Sequence, residues 1–112
     1  MDSKLIKISS DTHLKNIKWP RITTDSEWLY FSSGEEVNIQ LVKLELGRFL
    51  NDDIIYVAIG RNDSFETTGY DLISKITPLF TKTNFVIWNS SFSQAIEFST
   101  VGVLRKGEKA SC

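Results

Sequence analysis

The chain has 112 residues, 41% of them hydrophobic and 24% charged, with a net charge of −1. That balance excludes a chain too polar to collapse and fits one folded domain. The near-neutral charge excludes a global basic field for a phosphate backbone, and a single cysteine, Cys112, excludes an internal disulfide or a cysteine-built zinc site.

The first predicted element is a short strand over residues 4–8, Lys-Leu-Ile-Lys-Ile. Residues 9–25 are polar and broken by Pro20, which predicts an irregular arm pinned by Trp19 and Ile22. The aromatic run at 27–32 predicts a strand apolar on both faces. Ser33 stands three residues before Glu36, the spacing of a capping box, and predicts a helix start. The row Val37, Leu41, Leu44 extends that helix to about residue 50, although Val37–Leu41 also alternates like a strand.

Residues 54–60 form a near-continuous apolar run, as in a strand buried on both faces. Residues 61–66 are polar and predict a loop. Tyr70, Ile73, Ile76 and Phe80 keep helical spacing over 68–80, with Pro78 fraying the last turn. Strands follow at 85–89, 92–98 and 101–105, and residues 106–112 form a polar tail expected to fray.

The expected fold is therefore α+β: one mixed sheet of about five to six strands with two helices. A helix between two strands signals a parallel crossover, so strands 27–32, 54–60 and 85–89 should form a parallel centre beside an antiparallel C-terminal meander.

In such a sheet the loops at the strand C-termini gather on one ligand-binding edge. Here that edge would carry Glu35, Glu36, Arg61, Asp63, Phe65 and Glu66, with Asn89 to Ser91 beside them. Each feature also has a plainer explanation. Glu35 and Glu36 suit a helix N-terminus, Asp52 and Asp53 suit a helix stop, and loops are polar because water solvates them.

The lone histidine, His13, falls in the predicted arm, and no serine sits in a Gly-x-Ser-x-Gly elbow. Ser33-Gly34 lacks the rest of a phosphate loop. No catalytic residue, metal or cofactor is expected. Lys4, Lys7, Lys15, Lys18 and Arg21 lie near Trp19, and Arg105, Lys106 and Lys109 cluster late in the chain. These could form a small stacking surface for a nucleic acid, though a solvated charged rim explains them as well.

The runs Phe85-Val-Ile-Trp-Asn89, Phe92-Ser-Gln-Ala-Ile-Glu-Phe98 and Val101-Gly-Val-Leu-Arg-Lys-Gly107 resemble the closing strands of small bacterial immunity proteins that accompany polymorphic and contact-dependent growth-inhibition toxins. The resemblance implies a cytoplasmic protein, not an enzyme, that binds one cognate toxin domain as a heterodimer and blocks its active site, a nuclease site in many such toxins. On the topology above, Glu35, Glu36, Asp63 and Glu66 would steer the partner and Phe65 would anchor it. An adaptor subunit or an enzyme using the same loop edge are the alternatives. Residues 93–105 could also pair a second copy along a strand edge.

The N-terminal charges leave no apolar run for a signal peptide, and no stretch approaches the roughly 18–20 apolar residues that span a membrane. No membrane partner is expected.

Overall fold

The computed structural model describes residues 2–19, 28–33, 36–47 and 53–109. The first element is a helix, α1 (Ser3–Leu14), which replaces the expected strand and the first six residues of the expected arm, 9–14. Asp2 starts it: Oδ1 accepts from the Leu5 N–H at 2.9 Å, and the Asp2 carbonyl accepts from the Ile6 N–H at 3.0 Å. Ile6 and Ser10 are buried and Leu14 is half-buried, a row at i, i+4 and i+8. A serine thus stands where an apolar period calls for hydrocarbon, which hides the helix from a pattern reading. Ser10 fits there because its Oγ accepts a hydrogen bond from the Trp88 indole at 2.8 Å.

Two short strands follow, β1 (Ile17–Lys18) and β2 (Leu29–Tyr30). Next come β3 (Ser32–Ser33) and β4 (Glu36–Val37), which pair with each other antiparallel. The predicted capping box does not form: Ser33 and Glu36 face one another across this ladder. The helix α2 (Ile39–Leu46) starts later, with Asn38 Oδ1 accepting from the Leu41 N–H at 3.0 Å. The strand and helix readings of this stretch each hold for part of it.

The remaining elements are β5 (Ile55–Ala58), β6 (Phe65–Thr67), α3 (Leu72–Ile76), a 3-10 turn (Thr77–Leu79), β7 (Phe85–Trp88), β8 (Gln94–Ser99) and β9 (Val103–Lys109). The predicted second helix is shorter than expected, and Pro78 lies in the tighter 3-10 turn. Tyr70, expected in its buried stripe, is 97% exposed. Residues 106–109, expected to fray, finish β9 because they pair with β8 and β1.

Seven of the strands form one sheet in the order β1-β9-β8-β7-β5-β6, with β2 also on β9. Every described pairing is antiparallel, so the expected parallel centre is absent. The reason is β6, which lies in the stretch expected to be a loop. It reverses the chain after β5, so α3 carries the chain from β6 to β7. Both of those strands run antiparallel to β5, one on each side of it. The strand at 27–32 is not their neighbour: Leu29 and Tyr30 pair with β9. The C-terminal meander β7-β8-β9 forms as expected. The edge at 93–105 proposed for self-pairing is used within the chain, because β8 lies between β7 and β9, and β9 meets β1 and β2 on its other side.

Side chains alternate across the sheet and build two cores. Ile55, Val57, Phe85, Ile87, Ile96, Phe98 and Leu104 point to one face and meet Val42, Leu46, Leu72 and Ile76 of α2 and α3. Ala58, Val86, Trp88 and Ala95 point to the other and meet Ile6 of α1. The result is helix, sheet and helix pair in three layers, with a 13.2 Å radius of gyration, the size of one unit of this length. The Phe31 and Ser32 N–H groups bond to the Gly102 carbonyl at 2.9 and 3.3 Å. Glycine is required there: φ is +93°, and a Cβ would lie 3.0 Å from that of Ser32.

Candidate functional site

The strand directions separate the loops that the sequence grouped together. The β5–β6 turn and the β8–β9 turn lie at one end of the sheet, and the β7–β8 turn lies at the other. Asn89 to Ser91 therefore stand opposite the 60–64 turn. Asn89 is buried, and its Oδ1 accepts from the Ser93 and Gln94 N–H groups at 2.9 and 3.0 Å, which makes it a turn-former.

Four of the expected site residues do share one hairpin. Arg61 and Asp63 are exposed at the β5–β6 turn, and Phe65 and Glu66 lie in β6. Phe65 opposes Val57 and is half-buried against the α2–α3 core, while Glu66 opposes Tyr56 and is exposed. The outward-facing groups of the hairpin are therefore Arg61, Asn62, Asp63 and Glu66. Glu36 lies in β4, which pairs with β3 in a separate two-stranded sheet and not with this hairpin. Glu35 lies outside the described residues.

The turn is held from inside. Ser64 is buried; its Oγ donates to the Gly60 carbonyl at 2.7 Å and accepts from the Ile59 N–H at 2.9 Å. Its own N–H donates to Ser3 Oγ at 2.9 Å, and that hydroxyl donates to the Arg61 carbonyl at 2.7 Å. The tip is tied to the first turn of α1. Beyond the turn, β6 is the last strand of the sheet and pairs only with β5 among the described residues.

Of the candidate basic surface, Lys4, Lys15, Lys18 and Lys109 are exposed and Arg21 lies outside the described residues, while other members are engaged within the fold. The Arg105 guanidinium lies 4.1 Å from the Trp19 ring centre and 4.7 Å from that of Trp28, and its Nε donates to Glu97 Oε1 at 2.6 Å. Trp19 is thus committed to a cation rather than presented as a stacking platform. Lys7 pairs with Asp11 at 3.1 Å. Lys106 Nζ forms an ion pair with Glu45 Oε2 at 2.5 Å, which ties α2 to the sheet. His13, expected in an irregular arm, ends α1 and stacks on Phe92 at 5.1 Å, with Tyr56 stacked on the same ring at 5.0 Å. Phe92 reaches this position with a φ of +56°.

An open groove between α2 and α3 is lined by Lys43, Gly69, Tyr70, Ile73 and Ser74. The sequence pointed to neither this groove nor Ser3. The readable signal for Ser3 was Asp2 followed by a mixed apolar run, an N-cap pattern outweighed by the β-branched Ile6 and Ile8. No protein-family model, curated protein or solved structure matches the chain.

Proposed function

We propose that this chain is a binding protein of the immunity type, a cytoplasmic inhibitor that occupies the active site of one toxin domain through its β5–β6 hairpin. The observation that carries this reading is the pinned turn. It presents Arg61, Asn62 and Asp63 to solvent while Ser64 and Ser3 hold its backbone from beneath. A turn ordered before contact loses little entropy on binding. Exposed charge at its tip, Asp63 with Glu66 along the strand, favours fast encounter with cationic groups of a partner.

A photo-crosslinking side chain placed at Asn62 in the full chain, and separately at Ser90 on the opposite edge, tests this in the native cell. The expected result is one discrete protein adduct from position 62 and none from 90, with the captured protein a toxin whose activity the purified chain suppresses. An adduct from 90 alone, or a captured protein whose activity the chain leaves unchanged, contradicts the reading.

A second reading rests on β6 as the sheet's terminal strand: a small adaptor whose outer edge accepts a strand from another protein. Glu66→Pro discriminates between the two, with Glu66→Gln as the control for the lost charge. Ile55 and Thr67 pair within the hairpin ladder, so the backbone donor of β6 that points away from β5 is that of Glu66; proline there should abolish edge pairing and leave capture by the turn at the level of the Glu66→Gln control.

A further inference from the structure

We infer that Ser3 is a positioning residue for the 60–64 turn, so that α1 and the proposed recognition tip act as one unit; its consequence for binding rests on the hairpin reading above. The Ser3 hydroxyl is not used to cap its own helix, because Asp2 does that. Instead it donates to the Arg61 carbonyl at 2.7 Å and accepts from the Ser64 N–H at 2.9 Å, across about sixty residues of sequence. One oxygen therefore joins the two ends of the exposed segment Arg61–Asp63 and closes it.

The lower side of the same turn is closed by Ser64 Oγ through the Gly60 carbonyl and the Ile59 N–H. Side-chain hydroxyls hold both sides of the turn, and only one of them belongs to the hairpin. The helix that supplies the other is fixed to the sheet by Ile6 and by the Ser10–Trp88 hydrogen bond. The turn thus takes its conformation from α1, and whatever lifts the first turn of α1 releases the tip. The Arg61 carbonyl is at the surface and the Ser64 N–H only partly buried, so water can replace the lost hydroxyl, and its removal affects order at the turn rather than the fold.

Amide hydrogen exchange on the free full-length protein tests this without any partner. Ser3→Ala keeps the Asp2 cap and improves helix propensity, so α1 persists. The expected result is exchange about tenfold faster at Ser64, with Ile87 and Phe98 unchanged, and restoration by Ser3→Thr. Unchanged exchange at Ser64 overturns the inference. So does faster exchange at Ser64 matched by Ile87, which means global loosening. In the same background the crosslink yield from position 62 should fall. If Ser64 loses protection and the yield holds, Ser3 still positions the turn, and recognition by that turn is what fails.

Discussion

The two faces of the sheet bury their area by different means. On the α2–α3 face, Phe31, Phe80, Phe85 and Phe98 form a ring cluster with centroids 4.8 to 6.1 Å apart, surrounded by aliphatic side chains. On the α1 face the aromatic groups have polar partners. Trp88 donates to Ser10, Phe92 stacks under His13, and Trp19 and Trp28 lie against Arg105. The first face is held mainly by apolar area, with the Lys106–Glu45 ion pair at its side; the second depends more on particular donors, acceptors and charges. Substitutions should therefore cost hydrocarbon volume on one side and specific pairing on the other.

The largest expected effect is on the apolar face. Phe98→Ala removes a fully buried ring and should lower stability by about 3–5 kcal/mol in urea denaturation. On the α1 face, Gly107→Ala should cost about 1–3 kcal/mol, since its Cβ would lie 2.7 Å from the Lys18 carbonyl and 2.8 Å from the Trp19 ring. A loss as small as that of a surface mutation would mean that β1 does not pack on β9 this closely. Arg105→Lys keeps a charge for Glu97 and removes the planar cation between two indoles. It should cost about 0.5–1 kcal/mol and shift the tryptophan fluorescence. Tyr70→Ser, at the rim of the α2–α3 groove, should change stability by less than about 0.5 kcal/mol, because the ring is 97% exposed.

The same contrast explains what the sequence made legible. The α2–α3 face reads from pattern, since Ile55, Val57, Phe85 and Ile87 are hydrocarbon at every inward position. The α1 helix does not, because Ser10 occupies a core position and only the distant Trp88 makes that tolerable. The antiparallel order was lost through the short strand β6. Glu66 faces out between Phe65 and Thr67, and the Arg-Asn-Asp-Ser run before it looks like one continuous loop. That single omission changed the direction of β7 and split the expected loop edge in two. Arg61, Asp63, Phe65 and Glu66 stayed together because they are neighbours in sequence, whereas their link to Ser3 depends on a helix that the pattern concealed.

The hydrogen bond from Trp88 to Ser10 is a buried polar link between the sheet and α1, on whose anchoring the turn depends. A double-mutant cycle with Ser10→Ala and Trp88→Phe, measured by urea denaturation, tests it directly. A coupling of about 1 kcal/mol is expected, because either change alone removes the same indole-to-hydroxyl bond. Additivity to within about 0.3 kcal/mol would contradict it, and would mean that α1 rests on the sheet by apolar area alone.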